Sequence, residues 1–108
     1  MDAQEKEQIA FQIISSAGTA SSLLYKALQE SKEGRDYSSI IEEANEELTK
    51  AHRIHLQLIS ESAEDVSLLL VHAEDYLMNT ELQKHMILEM IEERKELQKI
   101  KEALLQNR

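Results

Sequence analysis

Apolar side chains recur every three or four residues along almost the whole chain. Ile9, Ile13, Ala17, Ala20, Leu24 and Leu28 form one such stripe, and the spacing predicts a helix over about residues 4–32. Ile40, Ile41, Ala44, Leu48, Ala51, His55, Leu58 and Ile59 form a second, over about 37–59. Glu42, Glu43, Glu46 and Glu47 occupy the opposite side of that segment as a solvated acidic face. A third pattern, over about 63–106, begins with Leu68, Met78 and Leu82 and ends with Met90, Leu97, Ile100 and Leu104 at coiled-coil-like spacing.

The breaks between stripes carry end signals. Gly34 suits the residue just past a helix, and Asp36 suits the N-cap of the next. Ser62, with Asp65 three residues on, resembles a capping box for the third helix. With no proline and only two glycines, nothing else interrupts the helices. Short connections make consecutive helices antiparallel. The expected fold is therefore all-α, one domain over residues 1–108: an antiparallel up-down-up three-helix bundle. At about 1.5 Å per residue the third helix is on the order of 60 Å long and overhangs the other two. An overhang with its own apolar stripe needs a partner, which predicts a homo-oligomer.

Composition narrows the chemistry. No cysteine is present, which excludes disulfides, thiolate nucleophiles, zinc ribbons and iron–sulfur clusters. The net charge of −9 and the lack of a basic stretch argue against nucleic acid and against anionic membranes. The polar, acidic start "MDAQEKEQ" lacks the plan of a signal peptide, and no apolar run approaches a membrane span. A cytoplasmic protein without direct membrane insertion is expected.

Two segments stand out. "SSAGTASS", Ser15 to Ser22, contains only small side chains. Close helix–helix contact is the simpler reading, and backbone or hydroxyl groups near a bound anion the sharper one. "LLLVHAEDYLM", Leu68 to Met78, places His72 and Asp75 on or beside an apolar stripe, three residues apart. His72 reads either as a partly buried imidazole bonded to Asp75 or a backbone carbonyl, or as a metal ligand, general base or nucleophile. The di-iron Glu-x-x-His pattern is absent, because Thr49, His52, Leu69 and Leu82 precede the four histidines by three. His52 and His55 read as an edge-exposed and a packed imidazole, with a metal pair as the sharper alternative, and His85 as structural or interfacial. Asp75 has no Lys or Arg within four residues. Around a threefold axis three copies of it would raise one another's pKa or demand a cation, and Mg²⁺ suits such oxygen ligands.

These residues carry a resemblance. "VHAEDYLM" on the third helix is similar to the active-site segment of the lactose/cellobiose (diacetylchitobiose) class of enzyme IIA of the bacterial phosphoenolpyruvate-dependent sugar phosphotransferase system. That class usually reads His-Ala/Gly-Gln-Asp-His-Leu-Met here. Gly18 in the small-residue patch, the Gly34 turn followed by Tyr37, and "KAHRIHLQLI" extend the likeness over most of the chain. The resemblance implies three-helix subunits assembled as a homotrimer, with His72 phosphorylated through Nε2. It implies one Mg²⁺ ion per trimer, shared by three Asp75 carboxylates. It implies phosphorylated HPr as donor, the cysteine of enzyme IIB as acceptor, and a β-linked disaccharide such as cellobiose, chitobiose or lactose as the transported sugar.

Four positions depart from that pattern. Glu74 and His55 stand where Gln is usual, Tyr76 where a second His is usual, and Ser21 where Arg is common. Glu74 is expected either to oppose an incoming phosphoryl group, to point outward, or to join the metal site. The alternative function is a non-catalytic helical interaction or regulatory module of the same family.

Overall fold

The computed structural model describes residues 2–62 and 67–107. Three helices form: α1 (Ala3–Lys32), α2 (Ser38–Ser62) and α3 (Leu68–Gln106). Cross-helix pairs fix their directions. Gly18 and Ser21 of α1 face Tyr76 and Gln83 of α3, rising together, so these two helices are parallel. His52 and His55 of α2 meet Glu81 and Glu74 of α3 in reverse order, so α2 is antiparallel. This is the up-down-up arrangement expected from the spacing. α1 lies between the others and packs along both, whereas α2 and α3 touch sparsely.

The buried stripe of α1 explains its central place. Ala10, Ile13, Ser16, Ala17, Ala20, Leu24, Ala27 and Leu28 are buried, so small side chains alternate with large ones and let two helices approach. Ala44, Leu48 and Ala51 meet them from α2, and Ala73, Leu77, Ile87 and Ile91 from α3. Each large aliphatic side chain buried here contributes about 1.5–3 kcal/mol. Close contact is thus what the small residues of "SSAGTASS" provide along most of their length.

The helix ends follow from local chemistry. The Asp2 carboxylate accepts the Glu5 amide and starts α1. α1 ends in a Schellman turn, in which Arg35 N–H donates to Glu30 O at 2.9 Å and Gly34 N–H to Ser31 O at 3.1 Å. Gly34 takes φ +73° there. A Cβ at Gly34 would touch nothing, so only backbone strain opposes a side chain. Gly34→Ala should therefore cost about 1–2 kcal/mol in urea unfolding, and Gly34→Asn clearly less, because Asn tolerates this conformation.

The Asp36 carboxylate accepts the Ser38 amide at 3.0 Å from two residues before the start of α2, so the N-cap position expected for Asp36 falls one residue later, on Tyr37, whose carbonyl accepts the Ile41 amide. Bonding to the Ser38 backbone holds the Asp36 pKa below the usual carboxylate value. The stabilisation is present above the unfolded-state pKa and is lost as pH falls through the lowered one.

The third helix departs from expectation at its start. α2 runs on to Ser62, and α3 begins at Leu68 rather than near residue 63. Its cap is Ser67, whose hydroxyl accepts the Leu70 amide at 3.1 Å. The expected Ser62/Asp65 capping box falls on Asp65, which lies outside the described residues. The overhang is present: beyond Ile91 every described residue of α3 is exposed. Lys95 Nζ lies 5.4 Å from the centre of the Tyr37 ring and ties the start of this overhang to the α1–α2 turn.

Candidate functional site

α3 carries two apolar stripes, not one. The inward stripe is Ala73, Leu77, Thr80, Ile87 and Ile91. Leu68, Met78 and Leu82, from which the sequence traces its stripe, are 86, 67 and 58% exposed. They form an outward seam with Val71, Met86 and Met90. His72 and Asp75 lie on or beside this seam, as their spacing places them, but the seam faces outward: both are exposed, and neither enters the core of the chain.

Each helical step turns the side chain by about 100°, so the residues around buried Ala73 fan outward. His72 and Tyr76, four apart, share the flank that faces α1. Glu74 lies on the opposite flank, facing α2. Asp75 points away from the bundle, in the middle of the outward seam between Val71 and Met78. His72 and Asp75 are adjacent on the helix surface but serve different sides.

The His72 imidazole makes no hydrogen bond among the described residues. The bonded, half-buried imidazole weighed above is therefore not what the fold builds. A free imidazole at the surface suits nucleophilic attack on a group brought by another molecule.

The flank residues were less legible. Tyr76 packs its ring partly into the core, with its hydroxyl above Gly18, where a Cβ would lie 3.5 Å away. The Thr80 hydroxyl donates back to the Tyr76 carbonyl at 2.9 Å, which satisfies a buried polar group inside the inward stripe. Ser21 donates to Gln83 Oε1 at 2.8 Å, and Gln83 Nε2 donates to the Ser21 carbonyl at 3.3 Å. The small Ser21 thus joins α1 to α3.

Two of the family departures meet each other. His55 Nδ1 lies 2.9 Å from Glu74 Oε1, with the imidazole and carboxylate 22 and 37% exposed. The approach is off the line of a hydrogen bond, so the contact is electrostatic and strongest when the imidazole is protonated. Glu74 is turned toward α2, away from the flank of His72. This weighs against a carboxylate that opposes an incoming anion from beside the imidazole. His52 Nε2 and Glu81 Oε1, 2.7 Å apart, form a second imidazole–carboxylate pair, this one hydrogen-bonded. His52 and His55 are thus spent on separate carboxylates, and His85 is exposed on the surface of α3. Among the described residues no three His, Asp or Glu side chains of one chain gather as a metal site.

Among the described residues no helix is long and apolar enough to cross a membrane. Residues 8–95 match the family model described as "PTS system, Lactose/Cellobiose specific IIA subunit". The chain is 40% identical over 92 residues to the oligo-beta-mannoside-specific EIIA component of Bacillus subtilis (strain 168), covering 80% of this chain and 84% of the relative. It superposes on the cellobiose-specific enzyme IIA from Bacillus anthracis with a TM-score of 0.80 at 35% identity, covering 91% of this chain and 94% of that one. It also superposes on a chain from the IIA(Chitobiose)–HPr complex of Escherichia coli, with a TM-score of 0.77 at 33% identity, covering 85 and 95%. With the three-helix fold and the "VHAEDYLM" segment on α3, these matches place the chain in the lactose/cellobiose-specific IIA family of the phosphoenolpyruvate-dependent sugar phosphotransferase system.

Proposed function

We propose that this chain is a phosphocarrier, which accepts a phosphoryl group from phosphorylated HPr on His72 and passes it to the cysteine of an enzyme IIB. The observation that carries this reading is the exposed, unbonded imidazole of His72 in the segment that matches the family. The likeness to the IIA(Chitobiose) chain, solved in complex with HPr, supports the donor. A β-linked disaccharide or short oligosaccharide is the proposed cargo, in keeping with the names of the relatives.

Neutral imidazole attacks phosphorus readily near pH 7, and the phosphoramidate it forms stays reactive enough to pass the group on. Phosphoryl transfer needs mainly positioning and charge stabilisation, so a small helical subunit suffices. Leu69, half-buried, and Val71, exposed, flank the imidazole and supply apolar surface for docking either partner.

Assembly as a homotrimer is part of the same proposal. The outward seam of α3 continues past Met90 through Leu97, Ile100 and Leu104, all at least half exposed. Pairing with copies of the same helix would bury it. Asp75 is the one carboxylate at the centre of the seam's first half, and three copies there match the hard oxygen donors that Mg²⁺ prefers. The ion would supply charge neutralisation between the carboxylates.

Incubation with phosphoenolpyruvate, enzyme I and HPr tests the function. One acid-labile phosphoryl group per chain is expected, and its discharge on adding a cognate enzyme IIB. A correctly folded protein that takes up no label would leave the regulatory-module reading in its place.

A further inference from the structure

Five of the twelve Lys and Arg residues line one cleft, although the chain as a whole carries a net charge of −9. The cleft encloses about 680 Å³ between the end of α1 with its turn and the overhang of α3. Lys32 and Arg35 stand on the first wall, Arg94, Lys95 and Lys99 on the second, with Glu33 and Glu102 as the carboxylates among them. A Cβ at Gly34 would meet nothing, so the turn leaves its wall open. Two of the five cations are already engaged. Arg35 bonds to Glu30, and Lys95 lies over the Tyr37 ring and beside Glu92. The side chains of Lys32, Arg94 and Lys99 have neither an ion pair nor a hydrogen bond among the described residues. A cleft lined by one sign of charge focuses the field and concentrates counter-ions.

The cleft is separate from the surfaces described above. Lys95, Gln98 and Glu102 continue the inward line of Ile87 and Ile91 at helical spacing, whereas Leu97, Ile100 and Leu104 of the outward seam lie across the helix from them. Pairing of α3 with its copies through the seam therefore leaves the cleft open. Arg94 stands roughly 33 Å from His72 along the helix axis, too far to touch a phosphoryl group there.

Shape and charge select the ligand. The volume falls within the range of small-molecule sites, about 300–1,000 Å³. A concave site between two walls does not fit a flat bilayer, and the negative chain is repelled by anionic lipid. Cations on both walls suit a molecule with more than one anionic charge. The arginine fork and the lysine point charges suit phosphate oxygens.

We propose that this cleft binds a small soluble molecule carrying two or more phosphate charges, held by Lys32 at the end of α1 and by Arg94 and Lys99 on α3. Spanning both walls, the ligand ties the overhang of α3 to the bundle. It acts on the tail of the helix and not on the chemistry at His72.

The test titrates pyrophosphate into the wild-type protein by calorimetry at physiological ionic strength. Saturable binding at one site per chain is expected. Arg94→Gln should weaken it about tenfold, the effect of losing one charge-assisted hydrogen bond, and Lys32→Gln/Lys99→Gln by more. Lys26→Gln/Arg53→Gln removes the same charge from exposed positions elsewhere, and should leave affinity within about twofold, because distant charges are screened. Hydrogen exchange in the turns beyond Lys95 should slow on binding. Malonate, with two carboxylates in place of two phosphates, should bind more weakly. No saturable binding, equal losses in the two double variants, binding without slowed exchange in the overhang, or malonate binding as tightly as pyrophosphate would each overturn the proposal. Vesicles containing phosphatidylserine should not retain the protein. Retention that Lys32→Gln/Lys99→Gln abolishes would assign the cleft to lipid headgroups and overturn the soluble ligand.

Discussion

His72→Ala is expected to abolish phosphoryl uptake from HPr while leaving the fold untouched. The imidazole is exposed and bonded to nothing in the described structure, so its removal opens no cavity and leaves no partner unsatisfied. Alanine is also the better helix former, by a few tenths of a kcal/mol. Thermal unfolding should therefore move by no more than the effect of about 0.5 kcal/mol typical of surface substitutions. The chemical effect is of another order, because no second imidazole stands beside His72 to take over as nucleophile. His52 and His55 are engaged with Glu81 and Glu74 on the other flank of α3, and His85 lies thirteen residues further on. Labelling should fall to background, measured as acid-labile phosphate per chain. Retention of label at the wild-type level by a well-folded His72→Ala protein would sink the assignment.

Asp75→Leu should have the second-largest effect, on assembly rather than transfer. Wild-type protein is expected to sediment at three times the 12.4 kDa chain mass, and EDTA should weaken that assembly. Three carboxylates at short range repel unless protonated or bridged by a cation. Replacing a cluster of buried charges by apolar side chains is often neutral or stabilising by about 1–4 kcal/mol. The leucine would continue the seam formed by Leu68, Val71, Met78 and Leu82. Asp75→Leu trimers should therefore persist in EDTA. A variant that dissociates under conditions where the wild type holds together would count against an axial Asp75 cluster, and a wild type monomeric at micromolar concentration would count against the trimer as a whole.

The number, order and direction of the helices were legible because the chain has almost no residue that stops a helix except Gly34. α1 and its glycine end follow from that one signal. The start of α3 did not, because two serines compete there. Ser62 has an acidic residue at capping-box spacing, but Ser67 is the one followed by an unbroken run of helix, and α2 extends through the earlier site. Which face of α3 is buried was also hidden from periodicity. The inward stripe includes Ala73 and Thr80, weak markers chosen to fit the small side chains of α1, while the conspicuous Leu68, Met78 and Leu82 point outward. His72 and Asp75 could be singled out as unusual from sequence. The contact of His55 with Glu74, and of Gly18 with Tyr76, could not, since both depend on how far one helix slides along another.

The long α3 is continuous in geometry but divided in what keeps it helical. From Leu68 to Ile91 its turns are secured by burial against α1. Beyond the contact of Lys95 with Tyr37, every described residue is exposed. A helical tail of this length is marginal on propensity alone. Within a single subunit, opening of these last turns is decoupled from unfolding of the bundle, and their amide hydrogens belong to a separate cooperative unit of much lower opening free energy.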